Sequence, residues 1–377
     1  MRVAVVGAGI TGLSVAFFVA GAGADVTVFE RSGIGAGASG VQPGGVRQQW
    51  ATRVNCLLAR ESVEYYRELD ERLGRRVGAR LDPCGYLFLA HSDDALAALA
   101  ANVAVQNETG VTSRIVSPAE AAELVPGLDP RSLAGGAWCG GDGYFDRPQA
   151  VVEAFARAAR ERGTRLEIAE VAAIERDGAT SWRLRTRPSN SLLLGGFAAV
   201  VVATGVDAPA LFASLGVELP IAPEQRHLFF SEPIRERLLE PLVVSGERRF
   251  AAKQLADGRV LASDLGAVGD PERLREEWRR NVARGIDELL PLLSYVSFPL
   301  LVTGLYDSTP DHQPLIGSVD DGLWVAAGFS GHGFMLAPAI GRRVAAAVTG
   351  ERVDDLLDAF APDRSARGVL EAERQLV

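Results

Sequence analysis

The chain has 377 residues, 47% of them hydrophobic and 23% charged, with a formal net charge of −9. That length predicts about two domains, and the composition is that of a soluble globular protein. The acidic balance, with no long basic stretch, argues against a nucleic-acid binder. No apolar run approaches the ~18 residues of a membrane helix, so a cytoplasmic protein with no membrane span is expected.

The first predicted strand, Arg2–Val6, runs into Gly7-Ala8-Gly9-Ile10-Thr11-Gly12. An apolar helix to about residue 22 follows, then a strand over residues 25–29 ending on Glu30. Strand, Gly-x-Gly-x-x-Gly, helix, strand and acid together form a dinucleotide-binding pattern. Gly7 permits the tight turn, Gly9 lets backbone approach a pyrophosphate, and Gly12 lets helix and strand pack closely. The helix N-terminus offers N–H groups and a positive dipole end to the phosphates. Glu30, 18 residues after Gly12, can accept from ribose hydroxyls and disfavours a 2′-phosphate. Arg2 followed by an apolar run superficially resembles a signal peptide, but the three glycines and the Glu30-terminated strand argue against one.

Residues 33–47 are too rich in glycine for a helix or strand interior. Small residues there let the backbone run close to a cofactor. Residues 54–73 have amphipathic helical spacing. A strand at residues 86–90, an Ala-rich helix over 93–107 and a short helix over 119–125 look like an insertion that begins a second domain. Pro148 starts a helix over 149–162 that Gly163 stops. The run 197–202, apolar throughout and followed by Ala203-Thr204-Gly205, reads as a central parallel strand meeting a ligand. Alternating strands dominate 219–301, including 227–231 and 260–263, with a helix over 271–290. Finally a strand at Leu323–Ala327 leads through Gly328-Phe329-Ser330-Gly331-His332-Gly333-Phe334-Met335 into a helix over 337–348. This second helix N-terminus suits a flavin, whose reduced ring carries negative charge, better than a nicotinamide cofactor.

The fold class expected is α/β, α+β overall: a Rossmann-like FAD-binding domain with a discontinuous substrate domain built on an antiparallel sheet. Residues 1–80, 136–218 and 302–377 are assigned to the first, 81–135 and 219–301 to the second. The three cysteines, Cys56, Cys84 and Cys139, are widely spaced and suggest neither a disulfide framework nor a metal site.

The opening motif, residues 39–47, Ala203-Thr204-Gly205, Thr309-Pro310-Asp311 with Pro314-Leu315-Ile316-Gly317, and the final glycine loop resemble the FAD-dependent D-amino-acid oxidase/sarcosine oxidase superfamily. They are most similar to its sarcosine oxidase beta-subunit and dimethylglycine dehydrogenase branch. The resemblance covers nearly the whole chain and is poorest within 81–135 and 220–300. It implies FAD in an extended form under a mixed sheet, and oxidation of a C–N bond of an N-methyl or other secondary amine, a proline-like substrate or a D-amino acid. Hydride would pass to flavin N5, and the imine would then hydrolyse.

By that resemblance Gly7, Gly9, Ile10, Thr11, Gly12, Glu30 and Arg31 hold the ADP half. Val171 meets the adenine, and Ala203, Thr204 and Gly205 line the pyrophosphate side. Gly331, His332, Gly333, Phe334 and Met335 lie along the isoalloxazine, with Ser39, Gly44, Gly45, Val46, Arg47 and Gly304 completing the cofactor contacts. Relatives that attach FAD covalently use a Cys just before the position of Tyr306, or a His within 39–45. This chain has neither, so non-covalent FAD is expected. Met335 stands where monomeric sarcosine oxidases carry a carboxylate-binding Lys, and Tyr306 where glycine oxidase-like members carry an Arg. A free amino acid then needs another cation.

Four residues are the catalytic candidates. Arg47 is a forked donor suited to a carboxylate. Tyr306 can orient substrate, and Lys253, the only Lys in the chain, is a possible cation near the flavin. His227 is the one plausible base if the substrate were instead an α-hydroxy acid. A further alternative is the flavin subunit of a hetero-oligomeric dehydrogenase, with a partner subunit or a homo-oligomer.

Overall fold

The computed structural model describes residues 1–187, 193–368 and 371–375. Two large sheets organise it. The first has six strands, in the order Leu315–Asp320, Leu323–Ala327, Ala199–Val202, Arg2–Val6, Asp25–Glu30 and Arg165–Ile168. Its strands are parallel except for the antiparallel edge at Leu315–Asp320. Arg2–Val6 and Ala199–Val202 lie at its centre, and their Val and Ala side chains are buried on both faces. That is why both strands read as unbroken apolar runs rather than alternating ones.

The second sheet has eight strands, in the order Leu300–Ser308, Ala222–Phe230, Val260–Asp264, Phe250–Gln254, Leu242–Ser245, Tyr86–Ala90, Gly135–Cys139 and Arg114–Val116. Every pair is antiparallel except one parallel seam, between Leu242–Ser245 and Tyr86–Ala90. The domain boundaries drawn from sequence at 135/136 and 301/302 therefore run through strands of this sheet. A small sheet of Gly45–Val46, Gly143–Phe145 and Leu81–Asp82 ties the two together.

The helix Ile10–Gly21 follows the first strand and crosses the last long helix, Gly333–Thr349, at close range. Ser14 Oγ donates to the Ala337 carbonyl at 2.9 Å, and a Cβ on Gly341 would sit 2.2 Å from that same oxygen of Ser14. Only glycine allows this approach.

The last helix begins four residues before the expected start at Ala337. Pro338 is of a residue type best tolerated in a helix's first turn. Here it lies inside the helix, where it cannot donate to the Phe334 carbonyl. Tyr66, fully buried on the helix Arg53–Arg67, donates its hydroxyl to that carbonyl at 2.6 Å and takes the missing partner's place. Its ring also stacks on Phe334 at 5.5 Å. Tyr66→Phe should leave the carbonyl buried and unpaired and cost about 1–3 kcal/mol in urea unfolding, with the fold intact. A variant of wild-type stability would show that Tyr66 holds nothing.

Candidate active site

The opening glycine motif forms a cradle rather than a loose loop. Gly7 has φ +105°, and a Cβ there would stand 2.5 Å from the Ala203 carbonyl oxygen. A Cβ on Gly12 would stand 2.1 Å from the Gly7 carbonyl oxygen. The helix it opens has Gly9 as N-cap, no side-chain capping bond and no acid in its first turn. Ser39 Oγ accepts from Ile10 N at 3.0 Å and reaches across the same opening. Glu30 accepts from Ala8 N and Ser32 N, each at 2.9 Å, so its carboxylate is fixed at the tip of its strand. Arg31 pairs with Asp207 at 2.9 Å on the surface. Val171 is buried on the strand Glu170–Arg176, in the same cluster as Phe29. Thr204 Oγ1 is buried with no partner, beside Ala203 and Gly205.

The second glycine loop is held by a residue that no glycine motif marks. Asp307 is buried and accepts from Gly328 N at 2.7 Å, and its carbonyl accepts from Ser330 N at 3.1 Å. Burial raises its pKa, while the N–H groups of Phe329, Gly328 and Ser330 oppose that rise. The loop leads to His332, the N-cap of the last helix, which again has no side-chain cap and no acid in its first turn. His332 is buried edge-on to Trp50, ring centroids 4.4 Å apart. Burial, then the charges of Arg47, His312 and Arg226, hold its pKa well below the usual value, so it is neutral.

Register places the remaining candidates. Lys253 faces Leu261, and Leu261 faces Phe230. Two and four residues before Phe230 on the same face come Leu228 and Arg226, and beyond them Glu224, which faces Tyr306. Across the other side Ala251 faces Val244, Val244 pairs with Phe88, and Tyr86 shares their face. One face of the eight-stranded sheet thus presents Lys253, Arg226, Tyr306 and Tyr86. A Cβ on Gly331 would meet the Tyr306 ring at 2.3 Å, and one on Gly45 the Tyr86 hydroxyl at 2.1 Å and Met335 Cε at 3.8 Å. This face therefore roofs the glycine loop and the start of the last helix.

His227 lies on the opposite face. It stacks on Trp278 of the helix Pro271–Leu289, centroids 4.2 Å apart, and Nδ1 is 3.0 Å from Thr303 Oγ1. One residue along a strand reverses the side chain, so the expectation of a cavity-facing His227 is corrected to its neighbour Arg226. Burial, then Arg226, lowers the His227 pKa.

Lys253 is fully buried. Its Nζ donates to the Pro43 carbonyl at 2.9 Å and lies 3.8 Å from the Tyr144 ring centroid. Burial pushes its pKa down to about 7, opposed by Cys84, Asp146 and Asp82. Arg226 pairs with Glu224 at 2.9 Å, and its guanidinium lies 5.3 Å from the Tyr306 ring centroid. Its Nε is buried without a partner. Arg47 is fully buried, with its guanidinium 3.8 Å from the Trp50 ring centroid and bonded to the carbonyls of Gln49 and Gln375. Burial lowers its pKa, and Glu373, Tyr86 and Asp142 oppose this. Asp142 accepts from Gln48 N at 2.7 Å and Gln49 Nε2 at 3.0 Å, and burial raises its carboxyl to about 6. Burial pushes the Cys56 and Cys84 thiols up to about 11 and 12.

The site therefore has two helix N-termini whose own N-cap residues supply no side-chain bond and whose first turns hold no acid, with a glycine cradle at one, a cation-bearing roof at the other, and an unpartnered, buried Thr204 hydroxyl beside Ala203 and Gly205. The sequence pattern described as FAD dependent oxidoreductase, DAO, matches residues 2–347. The chain belongs to the DAO family. The glycine cradle, the two helix ends without an acid in their first turn, and the unpartnered Thr204 hydroxyl fit the FAD on which DAO members depend. The chain is 30% identical to glycine oxidase of Pseudomonas aeruginosa, over 93% of this chain and 95% of that protein. It is 26% identical to sarcosine oxidase subunit beta of Rhodobacter capsulatus, over 90% and 82%. Its fold matches L-proline dehydrogenase from P. horikoshii with a TM-score of 0.89 and 30% identity, over 98% and 99% of the two chains. This DAO chain is thus an FAD-dependent oxidoreductase. Among its described residues no helix is long and apolar enough to cross a membrane, and no group of three or more His, Cys, Asp or Glu is placed to hold a metal.

Proposed function

We propose that the protein oxidises the C–N bond of a secondary amine or amino acid that carries a carboxylate. The observation that carries this reading is the site face of the roofing sheet. It brings Arg226, Tyr306, Tyr86 and Lys253 together and holds no histidine base, because His227 turns away toward Trp278. Alcohol oxidation wants such a base, whereas an amine bound neutral needs none. The named substrates of the glycine, sarcosine and proline enzymes are of this class.

Bound non-covalently, FAD supplies an acceptor for the hydride equivalent that leaves the carbon beside nitrogen. The first helix end, with Gly7, Gly9 and Gly12, would hold the pyrophosphate, and Gly331 to Met335 would meet the ring. Arg226 takes the role of the carboxylate-binding cation, because Met335 and Tyr306 stand where relatives place one. Tyr306, whose hydroxyl burial keeps protonated, donates to the same carboxylate. Water then hydrolyses the imine.

The test is anaerobic mixing of purified protein with N-methyl amino acids, proline and D-amino acids. Bleaching of the flavin band by at least one is expected; none would sink the proposal. Arg226→Leu should raise KM roughly tenfold or more for the active substrate, with a smaller change in kcat, since a charge-assisted bond contributes about 1.5–3 kcal/mol. An unchanged KM would remove Arg226 from substrate binding. A second reading, the flavin subunit of a hetero-oligomer, is favoured by the likeness to sarcosine oxidase subunit beta. Co-purification of a partner from the native source would support it.

A further inference from the structure

The residues Glu371 to Gln375 fold back into the interior next to Arg47. Glu373 is 1% exposed. Its Oε1 accepts from Ala51 N at 2.9 Å, and its Oε2 from Thr52 N at 3.2 Å, Thr52 Oγ1 at 3.0 Å and Asn55 Nδ2 at 3.0 Å. Thr52 is the N-cap of the helix Arg53–Arg67, yet its side chain makes no capping bond and the first turn holds no acid. Glu373 supplies, from a distant part of the chain, the carboxylate that this helix end would otherwise lack.

The same segment is tied down on either side of Glu373. Glu373 N donates to the Asp311 carbonyl at 3.0 Å, and Gln313 Nε2 to the Glu371 carbonyl at 3.1 Å. The Gln375 side chain accepts from Asn102 at 2.9 Å and Gln106 at 3.3 Å. The Gln375 carbonyl then accepts from Arg47 Nη2. Arg47 is thereby held by two carbonyls and the Trp50 ring, and among the described residues no carboxylate pairs with it. Trp50 in turn stands against His332, the N-cap of the helix that would meet the flavin ring.

We propose that this segment is a strap that sets the orientation of Arg47 and Trp50 at the ring end of the cofactor site, with Glu373 as its anchor. Glu373 is a positioning residue: it touches neither substrate nor cofactor and acts through Arg47 and Trp50. A carboxylate suits the anchor because every group facing it is a donor. An amide would set its own N–H₂ against donors and lose at least one bond. Once the strap is released, the buried Arg47 loses one of its two carbonyl partners and turns toward other acceptors, the flavin ring edge included. The proposal rests on reading that helix end as the flavin site.

The experiment uses FAD-loaded protein with E373Q, and separately a chain ending at residue 370. Both should retain FAD yet show a shifted visible flavin band, and turnover should fall roughly tenfold to a hundredfold, the scale of a small displacement at a reacting centre. A synthetic peptide of residues 371–377 should restore the band of the shortened chain. A wild-type spectrum and turnover with a lower melting temperature would overturn the proposal, leaving Glu373 as a helix cap alone. If the shortened chain does not fold, the E373Q spectrum decides in the same two ways. Wild-type protein that binds no FAD would instead remove the reading of the site itself, a distinct outcome.

Discussion

Gly12→Ala should purify colourless. A single methyl placed there stands 2.1 Å from the Gly7 carbonyl oxygen, well inside contact distance, and neither partner is a side chain that can swing away. Gly7 has little room to give, because it lies so close to the Ala203 carbonyl that a Cβ on it would stand 2.5 Å from that oxygen. The methyl therefore forces the helix Ile10–Gly21 off its strand and turns its N–H groups away from the phosphates. Those bonds and the dipole act over a few ångströms, and we expect the affinity for FAD to fall more than a hundredfold, about 3 kcal/mol or more. Gly246→Ala is the control, since it lies outside the cofactor segments and a Cβ there meets nothing within 4 Å. Flavin absorbance after gel filtration reads both variants. A yellow Gly12→Ala protein that melts like the wild type would mean that the cradle does not hold the cofactor.

Lys253→Met should raise the melting temperature below pH 7 and remove a titration from turnover. The folded-state pKa is lowered from 10.5 to about 7, chiefly by burial. The unfolded chain then binds more protons than the folded one between those values, so this group makes stability rise with pH from about 7 to 10.5. Below about 7 the buried ammonium costs its full penalty, which methionine removes. The gain should fade above pH 10. Turnover should move the other way. An ammonium held against the Tyr144 ring and the Pro43 carbonyl beside Gly44 and Gly45 is a fixed positive charge near the ring end, and losing such a charge typically costs about a hundredfold. The wild type should show a step in rate near pH 7 that the variant lacks. A variant with higher stability and an unchanged pH–rate profile would make Lys253 a packing residue only.

The cofactor half of this molecule is legible in sequence because its constraints are local. A turn needing φ +105° at Gly7, a close crossing at Gly12 and a strand ending on Glu30 all fall within the first 30 residues. The roof is not legible in the same way. Tyr86, Arg226, Lys253 and Tyr306 share a face only through the register of strands far apart in the chain. Between Arg226 and His227 the chemistry of the side chains favours the histidine, while the pleat decides for the arginine. Asp307 carries no local signal because its partners, Gly328 and Ser330, lie on a separate loop. The start of the last helix is not legible in the same way, because the hydroxyl that pairs the Phe334 carbonyl left free by Pro338 comes from Tyr66, on a helix far earlier in the chain.

The parallel seam between Leu242–Ser245 and Tyr86–Ala90 also bears on how the protein is made. As the chain leaves the ribosome, the strands around residues 86–139 wait with one edge unpaired until residue 245 has emerged. The dinucleotide sheet waits longer still, for Leu323–Ala327. Neither half can close early, so the chain is expected to fold slowly, with strand edges left open to other nascent chains in the meantime. The time between synthesis of residue 90 and closure of the seam is when this protein is most exposed to aggregation.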